Sequence, residues 1–75
     1  MKPDYEIDLR GVECPLNFVK TKIKLDDMKP NQTLEVLLDP GESFESVKNS
    51  VLEEGHQVLE QVQVKDYFKV TIKKC

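Results

Sequence analysis

Hydrophobic and polar positions follow two different periods along this chain, and their order predicts six elements. Tyr5, Ile7 and Leu9 alternate with Glu6 and Asp8, the period-two pattern of a strand with one buried face. The loop Arg10-Gly11-Val12-Glu13 then leads to Cys14-Pro15, and a proline at the first helical position is pre-organised for a helix. Helix formers continue to about Met28, where Lys29-Pro30-Asn31 stops them. On this helix Phe18, Thr21, Leu25 and Met28 lie within about 80° of one another, a stripe suited to packing on a sheet. Leu16, Val19 and Ile23 form a second stripe roughly opposite, flanked by Lys20 and Lys24.

The pattern then changes. Thr33 to Leu38, TLEVLL, is nearly continuous apolar sequence, as expected of a central parallel strand. Asp39-Pro40-Gly41-Glu42 reads as a turn and Ser43 as the N-cap of a second helix with Phe44, Val47 and Val51 on one face. Gly55 closes that helix at the C′ position. Val58, Val62 and Val64 alternate with Gln61 and Gln63, with a slip near Leu59-Glu60. Lys65-Asp66 is a short turn, and Phe68, Val70 and Ile72 alternate along Tyr67 to Ile72, so the last two strands read as a hairpin.

The expected fold is α/β (α+β): one domain, residues 1–75, in a two-layer α/β sandwich of order β-α-β-α-β-β. Right-handed parallel crossovers place both helices on one face of a four-stranded mixed sheet. The other face must be partly polar, and Glu35, Glu60, Lys69 and Lys73 suit it. The carboxyl ends of the first three strands form a top edge, where open α/β sheets usually bind ligands. Cys14, the Asp39–Ser43 turn and the Lys65-Asp66 turn belong to that edge. His56 and Cys75 belong to the bottom, about 17–20 Å away along a strand of five or six residues. That separation excludes a Cys14–His56 dyad and disfavours a Cys14–Cys75 disulfide. His56 reads as a solvated residue after a helix end, and Cys75 as a tail thiol.

Composition narrows the class. Apolar residues make up 39% of the 75 positions and charged residues 33%, enough for one thin core. Asp+Glu 14 against Lys+Arg 11 gives a net charge of −3, which argues against direct nucleic-acid binding held mainly by phosphate contacts. No apolar run reaches membrane-spanning length and the first residues carry no signal-peptide pattern, so no membrane association and a cytoplasmic location are expected. Two cysteines and one histidine make neither a disulfide scaffold nor a zinc site of the usual kind, so no metal or organic cofactor is implied.

The chemistry points to Cys14. A thiol at a helix start meets the positive end of the helix dipole and the free N–H groups of the first turn, here those of Leu16 and Asn17. Both lower a thiol pKa. Arg10 can add positive field, Glu13 opposes it, and Gly11 lets the loop turn. Against this stands a structural reading, in which Cys14 is a small buried hydrophobe that happens to precede a helix. The Leu16/Val19/Ile23 stripe likewise either packs against the second helix or docks a partner, with Val19, Lys20, Ile23 and Lys24 as the contact residues.

These residues carry a resemblance. Ile7-Asp8-Leu9-Arg10-Gly11-Val12-Glu13-Cys14-Pro15 resembles the opening signature of the TusA/SirA-like sulfur-carrier family. The likeness extends to the Leu34–Gly41 segment with its Asp-Pro-Gly turn, to Gly55-His56 before the third strand, and to the element order. The family's Cys-Pro-x-Pro reads Cys14-Pro15-Leu16-Asn17 here, so the second proline is absent. The resemblance implies that Cys14 accepts sulfur as a persulfide from a cysteine desulfurase or rhodanese-type donor. A downstream sulfur-acceptor protein then receives it, for tRNA thiolation or another sulfur pathway. A non-catalytic interaction or regulatory module of the same fold is the alternative. An RNA-binding role by fold analogy is disfavoured by the acidic balance and the lack of a stacking aromatic cluster. An Asn17 N–H in place of the second proline is expected to give the sulfur a further main-chain donor.

Overall fold

The computed structural model describes residues 3–13 and 16–75, so the expected roles of Cys14 and Pro15 fall outside the described residues. The predicted element order is present: β1 (Tyr5–Asp8), α1 (Leu16–Asp26), β2 (Thr33–Leu38), α2 (Glu42–Glu53), β3 (Gln57–Val64) and β4 (Tyr67–Lys73). The sheet order is β1-β2-β4-β3. β1 pairs parallel with β2, and β4 runs antiparallel between β2 and β3, so the sheet is mixed. β1 and β3 are its edges.

One face of the sheet is buried. Leu34, Val36 and Leu38 of β2 and Val70 and Ile72 of β4 are solvent-free, and they cluster with Leu25 and Met28 from the first helical segment and with Phe44, Val47 and Val51 of α2. Side chains from both helices meet the same strand face, which makes a two-layer sandwich with both helices on one side. Phe44 stacks on Phe68 with centroids 4.1 Å apart, closing the upper end of that core. The opposite face is partly polar, as expected, with Lys69 Nζ 3.4 Å from Glu35 Oε1 across the β2–β4 ladder.

Four local expectations change. The stripe of α1 facing the sheet is Asn17, Thr21 and Leu25; Phe18 sits half-buried at its side. Thr21 tolerates burial because its hydroxyl donates to the Asn17 carbonyl at 2.8 Å. α2 begins one residue before Ser43, from Gly41 at φ +88, and no side chain caps it. Its other end is as expected: Gly55 at φ +91 follows the last turn, with Gly55 N–H donating to Leu52 O and His56 N–H to Val51 O, a Schellman closure. On β3 the expected slip is a bulge between Val58 and Glu60. The bulge reverses the parity of the strand, so Val58 lies opposite the buried Ile72 while Val62 and Val64 lie opposite Lys69 and Tyr67 on the helix-free face. Finally, His56 is buried rather than solvated, at 7% exposure.

Candidate functional site

The top edge of the sheet gathers three chain segments: the β1–α1 loop, the β2–α2 turn and the β3–β4 hairpin. β1 ends its pairing with Leu9, whose N–H donates to the Leu37 carbonyl at 2.9 Å. A turn follows, closed by Val12 N–H to Leu9 O at 3.1 Å, and Gly11 adopts φ +80 within it. That left-handed conformation is what requires glycine, since nothing lies within 4 Å of where a Cβ would stand.

Arg10 is exposed and folded back on its own strand. Its Nε and Nη2 donate to the two Asp8 carboxylate oxygens at 3.0 and 2.8 Å, and its N–H donates to Asp8 Oδ1 at 3.0 Å. Its guanidinium also lies 4.6 Å from the Tyr67 ring centroid at the base of the hairpin. The paired donors hold the Asp8 carboxyl down to about 2, and the Asp8 carboxylate raises Arg10 in turn. The positive charge expected of Arg10 is therefore largely answered by Asp8. Gly11 N–H donates to Asp39 Oδ2 at 2.7 Å, joining the loop to the β2–α2 turn.

Glu13 and Leu16, the described residues on either side of the Cys14-Pro15 pair, are both exposed, Leu16 at 57%. The Asn17 N–H, expected to be free for the sulfur, instead donates to the Glu13 carbonyl at 3.1 Å. A donor already in a main-chain hydrogen bond has little left for a second acceptor, so the expected advantage over a second proline is not carried by that N–H. The Asn17 side chain is solvent-free. Its Oδ1 accepts the Phe18 N–H at 2.7 Å, and among the described residues its Nδ2 is the buried side-chain atom without a hydrogen-bond partner.

The second stripe of α1 does not pack against α2. Leu16, Val19 and Ile23 are 57%, 41% and 64% exposed. Lys20 is exposed beside them, while the Lys24 ammonium lies 4.2 Å from the Tyr5 ring centroid. Ile23, Lys20 and Lys24 face Ile7, Asp8 and Leu9 across an open groove of about 640 Å³, whose lower end is lined by Asp26 and Asp27. α1 meets α2 elsewhere, where Lys22 Nζ donates to Glu54 Oε1 at 3.1 Å.

The bottom edge differs in kind. His56 Nδ1 accepts the Cys75 N–H at 3.2 Å, and burial, with help from the Lys74 charge, pushes His56 below its ordinary value. Cys75 is exposed, its Sγ 3.8 Å from the Glu54 carbonyl. Among the described residues no cluster of three metal-ligating side chains occurs, and no helix is long and apolar enough to cross a membrane. Sequence reasoning placed the Asp39–Ser43 and Lys65-Asp66 turns on this edge but missed the Asp39 and Tyr67 side chains as partners of the loop.

Comparison with known proteins shows the family. The profile of the family described as "Sulfurtransferase TusA" matches residues 5–74. A candidate sulfur carrier protein of Archaeoglobus fulgidus is 41% identical over 70 residues, spanning 91% of this chain and 78% of the relative. One of Thermotoga maritima is 42% identical over 69 residues, spanning 85% and 87%. A crystal structure of a SirA-like protein from Desulfitobacterium hafniense shares the fold, with a TM-score of 0.81 at 24% identity over 92% of this chain and 95% of that one.

Proposed function

The chain belongs to the TusA family of sulfur carriers, and from that premise we propose that Cys14 takes up and hands on sulfur as a persulfide. The Cys14 thiolate attacks the outer sulfur of a persulfide on the donor's cysteine. The donor's S–S bond breaks, its cysteine leaves as a thiolate, and the new S–S bond forms on Cys14. A second exchange of the same kind passes the outer sulfur to the acceptor's cysteine, so no external oxidant or reductant is consumed.

The observation that carries this reading is position. Cys14 lies inside the matched segment, and the described residues that flank the Cys14-Pro15 pair, Glu13 and Leu16, are exposed. A relay needs that exposure, because the partner's sulfur must reach its own. Arg10, Gly11, Pro15, Leu16 and Asn17 shape the surroundings, Gly11 through its left-handed turn and Asn17 from the inner face of the helix. The donor we infer is a cysteine desulfurase or rhodanese-type protein, and the acceptor a downstream sulfur protein serving tRNA thiolation or a related pathway in the cytoplasm. Val19, Lys20, Ile23 and Lys24 form the docking face. The exposure of Val19 and Ile23 supports this over packing on α2.

Intact-mass measurement after incubation with a cysteine desulfurase and cysteine tests the reading. One added sulfur is expected, kept in Cys75→Ser and lost in Cys14→Ser. Sulfur that stays in Cys14→Ser, or that only Cys75→Ser removes, sinks it.

A further inference from the structure

We propose that Asp39 is the positioning residue of the sulfur-transfer site, holding the segment that leads into Cys14 through the Gly11 N–H. The proposal rests on the reading of Cys14 as the sulfur-carrying residue.

Asp39 stands 28 residues from Gly11, in the turn between β2 and α2, and its Oδ2 accepts the Gly11 N–H at 2.7 Å. A carboxylate acceptor makes this a charge-assisted bond, roughly twice as strong as a neutral one. The Asp39-Pro40-Gly41-Glu42 stretch reads from sequence as a turn, which gives the Asp39 side chain no partner of its own. The structure gives it one: α2 starts from Gly41 without a side-chain cap, and the Asp39 carboxylate is turned to the other loop.

The remaining ties of this loop show why one bond matters. Leu9 is held to β2 and Val12 to Leu9, while the Arg10 fork binds Asp8 within its own strand. Glu13 is held through its carbonyl by Asn17 of α1. Among the described residues, the Asp39 bond is the hydrogen bond that fixes the middle of the 10–13 segment against a neighbouring segment of the top edge. Without it, the contacts left between this segment and the rest of the top edge and core are the Val12 side chain on the core and the Arg10 guanidinium over Tyr67, neither of which fixes the Gly11 main chain by a hydrogen bond. Sulfur exchange needs the attacking sulfur in line with the donor's S–S bond, and a misplacement of about 1 Å can lower a rate on the order of a hundredfold. A loosened loop that still samples the right geometry is expected to lose about tenfold.

The sheet provides its own control. At the bottom edge Asp4 Oδ2 accepts the Thr33 N–H at 2.9 Å, another aspartate-to-backbone clip between segments 29 residues apart. Asp4→Ala inflicts the same chemical lesion at the other end of β1 from Gly11.

The experiment compares sulfur uptake by Asp39→Ala, Asp39→Asn and Asp4→Ala, all with Cys75→Ser, using a cysteine desulfurase with cysteine and, separately, a small-molecule persulfide. Asp39→Asn keeps an oxygen that can accept the Gly11 N–H. The expected result is uptake about tenfold slower in Asp39→Ala with both donors, most of it restored in Asp39→Asn. Asp4→Ala should match the parent in rate whatever its loss of melting temperature. Gly11 amide exchange should quicken in Asp39→Ala only. If Asp39→Ala does not fold, Asp39→Glu, which shifts the carboxylate by one methylene, takes its place in the same comparison. Parent-like uptake in the folded Asp39 variant, or equal slowing in Asp4→Ala, overturns the role of Asp39 while leaving Cys14 as the sulfur site. A parent protein that takes up no sulfur overturns both.

Discussion

The two ends of this sheet solve opposite problems with similar parts. Each has a left-handed glycine, an aspartate clip and a buried polar side chain. At the bottom the parts close on one another. His56 is buried yet paired with the Cys75 N–H, Gly55 completes a Schellman turn, and Asp4 ties β1 to β2. At the top they stay open: Glu13 and Leu16 are exposed, Asn17 is buried with its Nδ2 unpartnered among the described residues, and the apolar stripe of α1 faces solvent. A buried donor without a partner costs about 1–3 kcal/mol, and exposed leucine, valine and isoleucine gain nothing in the isolated chain. The end that carries the proposed chemistry thus leaves an apolar stripe in solvent, where the other end buries and pairs its groups.

Charge reversal at matched positions is the strongest way to break this contrast. Lys20→Glu with Lys24→Glu alters the face beside Cys14, and Lys73→Glu with Lys74→Glu makes the same change in net charge at the bottom. If an acidic partner surface docks over α1, the first pair should slow sulfur acceptance tenfold or more at low salt, with the difference shrinking as salt rises, in keeping with roughly 10–1,000-fold effects of steering. The second pair should leave the rate near that of the parent. Equal effects from both pairs would mean that only overall charge matters and that α1 is not the docking face.

The glycines sharpen the contrast next. Gly11 and Gly55 sit at φ +80 and +91, with open space around Gly11 and only the Cys75 Sγ, 4.0 Å away, near Gly55. Alanine at either position meets backbone strain rather than a clash, worth about 1–2 kcal/mol. Denaturant melts should show a similar loss for Gly11→Ala and Gly55→Ala. Sulfur acceptance should fall only in Gly11→Ala; a fall in Gly55→Ala of the same size would tie the rate to global stability instead of to the loop.

These contrasts also mark where the sequence was legible. The order of elements was, because period-two and helical spacings differ cleanly and Pro30, Pro40-Gly41 and Gly55 punctuate them. The bottom placement of Cys75 followed from that order, while Cys14 lies outside the described residues. The faces were less legible. Asn17 displaced Phe18 from the sheet-facing stripe because a helical stripe is broad enough to slide by one residue, and a polar residue is the weaker candidate on pattern alone. Val62 and Val64 turned to the helix-free face because one extra residue at Leu59 reverses parity, and a pattern shows the slip but not its direction. His56 gave no hint of burial, since its partner is a main-chain N–H from 19 residues away. The Asp39–Gly11 bond had no local signature either. Cys14 itself stood out through chemistry and resemblance.

Acid separates the ends more gently. His56 is held below its ordinary value by burial first and by Lys74 second, so the fold favours the neutral ring. That contribution is complete above the unfolded histidine value near 6.5 and is lost as pH falls below it. Asp8, held near 2 by Arg10, contributes above its unfolded value of 3.8 and loses that contribution only as pH falls from there toward 2. Lowering the pH should therefore loosen the bottom first, with the protection of the Cys75 amide against exchange falling as pH drops below 6.5 while that of Arg10 and Gly11 holds. His56→Gln should remove the first phase. A top edge that loosens before the bottom would contradict the assignment of these pairs.

The smallest expected effect belongs to Arg10→Lys, and it tests how far the top edge depends on geometry rather than charge. Arg10 binds Asp8 through two nitrogens and lies over the Tyr67 ring, whereas lysine keeps the charge but offers a single ammonium and no planar stack. The Asp8–Arg10 pair is solvent-exposed, so global stability should scarcely change. The Asp8 carboxyl should nevertheless rise from about 2 toward the ordinary 3.8, because its largest downward influence is the side-chain hydrogen bonding from Arg10. Carbon-detected NMR titration of the Asp8 carboxyl reads this directly. Sulfur acceptance should fall less than in Asp39→Ala, since Arg10 holds Asp8 within its own strand while Asp39 bridges two loops. If Arg10→Lys slows sulfur uptake more than Asp39→Ala does while Asp8 stays near 2, the planar seat of the Arg10 guanidinium over Tyr67, and not the tether on Gly11, is the feature of the top edge on which uptake depends.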